Sequence, residues 1–253
     1  MLKRTLAYCV LLLLIAELSF AQSPLVLEPD ATRYMALGDS ISSGYKAVPV
    51  TQGFPYLLYQ EGVFDRLPHT LFCNAAVPAA TSMDVLLHQV PQALIPASAN
   101  GFRPRYVTLT AGGNDLLSIL AFAQAHPDEA AIAEFAQEVL SRYAVTLRMM
   151  LSQITVTLPN AKVFVANQYS VPEVEALVPG ADQILAAFNA ILAQTATLFP
   201  GHVYLVDVNS AFEGREGLLL VERHGASPTE THLTTAGHRA MADAFIAVIA
   251  QNK

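Results

Sequence analysis

"YMALGDSISSG" (34–44) is a short apolar run that stops abruptly at Gly38-Asp39-Ser40. An apolar run of this length closed by turn residues reads as a buried strand, and Asp and Ser are favoured where a helix begins. The stretch therefore reads as strand, turn and helix start. "RYMAL" (33–37) is the first of five runs with strand character; the others are "TLFCNA" (70–75), "RYVTLT" (105–110), "KVFVANQ" (162–168) and "HVYLVDV" (202–208).

Between these runs the apolar residues change to helical spacing. From Asp128 to Leu158 the series Ile132, Phe135, Val139, Tyr143, Leu147, Met150, Ile154, Leu158 forms one stripe, with Pro127 opening and Pro159 closing the helix. A second stripe runs through Ile184, Phe188, Ile191 and Leu198. A third begins after Thr234 or Thr235 as cap and runs through Met241, Phe245, Val248 and Ile249. Strands that alternate with helices form crossover units, because a parallel strand pair needs a long connection and the helix supplies it. The expected fold is α/β: a three-layer α/β/α sandwich around a five-stranded parallel sheet. Ligands of such sheets bind beyond the carboxyl ends of the strands. That rule points to Gly38-Asp39-Ser40, to Asn74 and the residues just after it, to "AGGND" (111–115), to Asn167-Gln168-Tyr169, and to the loop after Asp207.

The bulk numbers suit one globular domain: 253 residues, 53% hydrophobic and 14% charged. Residues 1–21 read as a secretory signal peptide, with Lys3 and Arg4 at the start, a short apolar middle, and Ser19 and Ala21 where a signal peptidase inspects. The apolar run is short for a membrane span, so no stable span is expected after cleavage, and the protein is expected to be secreted or periplasmic. Cleavage would leave residues 22–253 as the single domain and move the net charge from −7 to −8. An acidic chain is a poor match for nucleic acid. Of the two cysteines only Cys73 would survive, read as a small buried hydrophobe with no disulfide partner.

A serine hydrolase needs an exposed hydroxyl, a base for its proton, and donors aimed at the oxyanion that forms. Ser40 supplies the hydroxyl and, at a helix start, its own N–H. Asn114 offers an amide donor, the backbone from Ala76 to Ala79 another, and His232 is the candidate base. Asp39 is read as structural, Asp115 as a cap of the helix that comes after it, and His238 as a brace. His69, His88, His126, His202 and His224 lack partners at metal-ligand spacing, and no phosphate-cradling glycine loop occurs, so neither metal nor cofactor is expected.

"GDSI" (38–41), "NAAVPAATS" (74–82), "GGND" (112–115) and "THLTTAGH" (231–238) together resemble the four blocks of the GDSL, or SGNH, hydrolases, in that family's order. The resemblance covers nearly all of the chain after residue 21. It implies a flavodoxin-like sandwich and a cofactor-free esterase or lipase acting on a small-molecule, lipid or acylated ester. It also implies Ser40 as nucleophile, His232 as base, and the Ser40 N–H and Asn114 side chain as oxyanion donors. Acyl transfer, glycan deacetylation, or ligand binding without turnover would use the same cleft, and a monomer is expected.

Two positions depart from the family pattern. The glycine whose N–H completes the oxyanion hole is Ala79 here, which keeps the donor if alanine tolerates the local φ. The aspartate three residues before the histidine is Thr229. The orienting role could fall to a main-chain carbonyl near Thr229, to Glu230 if the loop is extended, or to Glu222 or Asp207 if the loop folds back. A base of this kind gives an activity limb that rises near neutral pH.

Overall fold

The computed structural model of the protein describes residues 32–65, 70–92, 94, 103–220 and 230–253. The predicted signal segment 1–21 lies outside them, as do His69, Glu222, His224 and Thr229. The strands are β1 (Arg33–Gly38), β2 (Leu71–Asn74), β3 (Tyr106–Thr110), β4 (Lys162–Ala166) and β5 (Val203–Val206), and the shorter helices among the described residues are α1 (Ser40–Ser43), α3 (Ser82–Asp84), α6 (Pro172–Glu175) and α8 (Val208–Phe212). All pair in parallel, in the order β2-β1-β3-β4-β5. This is the flavodoxin-like order, whose switch point lies where the chain, having placed β2 on one side of β1, crosses to place β3 on the other.

The strands are short and apolar because both faces of the sheet are covered. Side chains alternate with a period of two, so Tyr34 and Ala36 enter one core while Met35 and Leu37 enter the other. On the first face lie helices α2 (Phe54–Gln60) and α9 (Thr235–Asn252), joined by the stacked rings of Phe54 and Phe245, whose centroids are 4.8 Å apart. On the second face lie α5 (Glu129–Thr157) and α7 (Ala181–Ala196), joined by Tyr143 on Phe188 at 4.0 Å. Each such fully buried side chain contributes about 1.5–3 kcal/mol of burial.

Helix α5 has the stripe its sequence requires. Asp128 caps it, accepting from the Ala130 and Ala131 amides at 2.8 and 3.3 Å, and Ile132, Val139, Tyr143, Leu147, Met150 and Ile154 are all buried. Phe135, on the same stripe, is only partly buried and stacks on Phe122 of α4 (Gly113–Ala125) at 4.4 Å. Thr234 caps α9 by accepting from the Gly237 amide. Two sequence readings shift. Leu198 falls beyond the end of α7 and is exposed, and Cys73 is half-buried at the edge of the second core. Cys73 is on β2, an edge strand that has β1 on one side only, which leaves its residues partly open.

Candidate active site

Ser40 is the first residue of a one-turn helix, α1 (Ser40–Ser43), that comes directly after β1 and Asp39. Gly38 makes this turn at φ +135°, and a Cβ there would lie 2.1 Å from the Thr110 carbonyl oxygen, so only glycine fits between the two strands. Gln89 brackets Gly38, accepting from its amide at 2.8 Å and donating to its carbonyl at 2.7 Å. Asp39 accepts from the Ile41 amide (3.0 Å) and the Thr110 hydroxyl (2.8 Å), and Asn74 donates to the Ser42 carbonyl at 2.9 Å. The turn is thus tied to β3, to the residue that ends β2, and to Gln89. Asp39 is the structural residue its position suggested.

His232 Nε2 lies 2.9 Å from Ser40 Oγ. On the other side of the ring, Nδ1 bonds the Glu230 carboxylate. A carboxylate only accepts, so Nδ1 carries the ring proton and Nε2 is left as an acceptor facing the hydroxyl. Glu230 Oε2 also faces Lys46 Nζ at 3.6 Å, and the Tyr45 ring meets the imidazole edge-on at 4.7 Å. The segment is held strand-like: Leu233 bridges Leu219 antiparallel, the Leu220 amide donates to the His232 carbonyl at 2.9 Å, and the Tyr169 hydroxyl donates to the Thr231 carbonyl at 2.8 Å. Asp207 is engaged elsewhere, with Ser210 and Asn167.

Asn114, in the first turn of α4, lines the same cleft as Ser40 and His232. One of its amide hydrogens goes to the Ala80 carbonyl at 2.8 Å, which fixes the group and leaves the second hydrogen to point elsewhere. Ala79 adopts φ +66°, the left-handed conformation glycine favours, and it does not line the cleft. Its link to the site is through Ala80 and Asn114. Asp115 differs from its sequence reading. It lies inside α4 and accepts from the amide and hydroxyl of Ser82 at 2.8 and 2.7 Å, bracing the β2 loop instead of capping its own helix.

Burial separates the titration of the groups around the site. Asp39 is almost wholly buried, which pushes its carboxyl up to about 6 even though Thr110 and Ile41 hydrogen-bond to it. Glu230 is partly desolvated, which works the same way, but its bonds from His232 and the charge of Lys46 outweigh this and leave it below the usual carboxylate range. His238 is fully enclosed, and burial lowers it to about 4; the Phe54 amide donates to its Nδ1, and its Nε2 donates to the Tyr45 carbonyl at 3.0 Å. His238 is therefore a neutral brace beneath the Tyr45–Lys46 corner. Among the described residues no three His, Cys, Asp or Glu side chains converge as metal ligands, and no helix is long and apolar enough to cross a membrane.

The cleft that opens on Ser40, Asn114 and His232 is lined largely by apolar side chains. It runs between α4, the residues after β4, and the first turn of α7. Sequence reading found the polar groups at its mouth but neither the apolar walls nor the Tyr45–Lys46 contact, because both arise from packing between distant segments.

The fold is similar to that of a lipase from a goat rumen metagenome, with a TM-score of 0.64 at 21% identity over 86% of this chain and 97% of that one. It is similar also to an extracellular lipase from Streptomyces rimosus (TM-score 0.62, 22% identity, 88% and 100% covered). A third likeness is to a catalytic mutant of an acetylxylan esterase from Geobacillus stearothermophilus (0.55, 19%, 86% and 94%). At such identities the likeness is one of fold. No curated protein sequence matches the chain. Residues 36–240, from the middle of β1 into α9, match the GDSL-like lipase/acylhydrolase family, and with the blocks around Ser40, Asn114 and His232 in that order this chain belongs to it.

Proposed function

We propose that the protein is a secreted or periplasmic, monomeric serine hydrolase that cleaves carboxylic esters of small molecules or lipids through an acyl-enzyme on Ser40. The observation that carries this reading is the unbroken line from Ser40 Oγ to His232 Nε2 and from Nδ1 to Glu230, set at the mouth of a cleft.

In the first half-reaction the Ser40 oxygen attacks the ester carbonyl while its proton passes to His232 Nε2. The tetrahedral oxyanion meets the Ser40 N–H, which as a first-turn helix amide has no partner within its helix, and the free hydrogen of Asn114 Nδ2. Ala79 contributes to this hole by carrying the backbone that places Ala80 against Asn114. As the intermediate collapses, the bond to the alcohol oxygen breaks and His232 returns its proton to the leaving alcohol. Water then repeats the sequence on the acyl-enzyme, giving the acid and free Ser40. Glu230 fixes the tautomer and stabilises the imidazolium, which is the role the family pattern gives to an aspartate at the position of Thr229.

Labelling with a serine-directed alkyl phosphonate tests the assignment. The wild-type protein is labelled at Ser40 and hydrolyses aryl esters; Ser40→Ala abolishes labelling and lowers kcat by on the order of 10⁴- to 10⁶-fold with an unchanged fold. Hydrolysis that survives Ser40→Ala would overturn it.

A further inference from the structure

The acid beside His232 is longer than the aspartate of the family pattern, and a longer side chain needs holding. Glutamate has one more rotatable bond than aspartate, so the Glu230 carboxylate has more conformations in which it misses His232. Two groups hold it, each by a different oxygen. Oε1 accepts from His232 Nδ1 and, at 3.3 Å, from the His232 amide, while Oε2 faces Lys46 Nζ at 3.6 Å. The same ammonium lies 5.0 Å from the centre of the Tyr45 ring, and that ring meets the imidazole edge-on at 4.7 Å. Lys46, Glu230, His232 and Tyr45 thus close a ring of contacts beside Ser40.

The backbone places Lys46 there at a cost. Its φ is +68°, the left-handed conformation that side chains disfavour. Glycine adopts this conformation without strain, so what a lysine adds at the position is its side chain. The corner is pinned from both sides. The Tyr45 amide donates to the Ser40 carbonyl, the Tyr45 carbonyl accepts from His238 Nε2, and the Val48 amide donates to Thr235 Oγ1, each at 3.0 Å. The Ser40 turn and the first turn of α9 together fix where the ammonium sits. We infer that Lys46 is a positioning residue whose charge holds the Glu230 carboxylate in the orientation that bonds His232 Nδ1. This rests on the reading of His232 as base and Glu230 as its partner, and adds the group that holds that partner in place. Lys46 acts only through Glu230: taken alone, its charge opposes the imidazolium that forms in the reaction.

The test is a double-mutant cycle on aryl ester hydrolysis. Lys46→Met keeps the stem and removes the charge, while Lys46→Arg keeps the charge. In Lys46→Met kcat falls about three- to fivefold with KM unchanged, the upper range for an ion pair partly open to water, and Lys46→Arg recovers it. In the Glu230→Gln background the same Lys46→Met change costs nothing or raises kcat, because the cation then only opposes the imidazolium. A loss under about twofold in Lys46→Met overturns the inference while ester hydrolysis stands. So does an equal loss in both backgrounds, an equal loss in Lys46→Arg, or a rise in KM in place of the fall in kcat. If Glu230→Gln itself costs under about threefold, Glu230 is not the acid and the role of Lys46 falls with it. If no ester is cleaved at all, the ester-hydrolysis reading fails and proton NMR decides for Lys46. A carboxylate partner shifts the His232 Nδ1–H resonance far downfield, and Lys46→Met broadens it as the acid swings away and the proton exchanges with water. An unchanged resonance, or none in the wild-type protein, overturns the inference.

Discussion

The two sides of the cleft each carry a carboxylate next to the Ser40–His232 pair, and they keep it in opposite conditions. Asp39, under the Ser40 turn, is 4% exposed and its carboxyl is pushed up to about 6, while Glu230, beside His232, keeps about a quarter of its side chain in water and is held below the usual carboxylate range by His232 and Lys46. The Ser40 side is a dense buried net in which β1, β3, Gln89 and Asn74 all bond the turn. The His232 side hangs from an isolated bridge and a few long-range bonds. The pair shows how environment alone divides two acidic groups into one that braces and one that supports a cation.

The largest effect expected from breaking this contrast comes from Glu230→Gln. It keeps the shape and the hydrogen bond but removes the charge that stabilises the imidazolium, so kcat falls about 10²- to 10⁴-fold, with little change in Tm because the site is partly solvated. Stopped-flow or steady-state rates measure it; a loss under about threefold would show that another group orients His232.

The next effect is on stability against pH and uses Asp39 and His238 together. The folded Asp39 value of about 6 lies above its ordinary 3.8, so the folded state binds the extra proton and acidification through this window stabilises it by about 3 kcal/mol. The folded His238 value of about 4 lies below its ordinary 6.5, so the unfolded chain binds the extra proton and the same acidification removes about 3 kcal/mol. Between about pH 6.5 and 4 the two nearly cancel in the wild-type protein. Asp39→Asn unmasks His238, and urea unfolding of this variant loses about 3 kcal/mol more over that range than the wild type does. Parallel curves for the two proteins would refute the assignment.

The smallest effect sharpens the Ser40 side. At φ +66° the left-handed backbone costs Ala79 about 1 kcal/mol, and Ala79→Gly relieves this while loosening the unfolded chain by a similar amount. The net change is therefore below about 1 kcal/mol with the rate retained, whereas Ala79→Val, branched at Cβ in the same conformation, is destabilising and lowers kcat through Asn114. Thermal unfolding and ester assays on the two variants read the difference.

Much of this was legible in the chain itself. The five apolar runs fall within a residue or two of β1 to β5, and the stripe from Ile132 to Ile154 is the buried face of α5, because a two-sided sheet and a long packed helix leave strong periodic patterns. Glu230 could be seen only conditionally. In an extended chain residues two apart share a side, but what extends this segment is the pairing of Leu233 with Leu219, a contact with no local signature. The same holds for Lys46, which meets Glu230 only through packing of distant segments.

Ser40 and His232 are separated by 192 positions, so the hydrogen bond between them closes almost the whole chain. Contacts of such long sequence separation come late in folding, since the entropy of loop closure precedes their reward. Synthesis proceeds from the amino end, and Ser40 is complete long before Glu230 and His232 have been made. A ribosome-bound or truncated product that stops before residue 230 lacks both His232 and the last helix, so under the proposed mechanism turnover begins only once that helix has been made and docked.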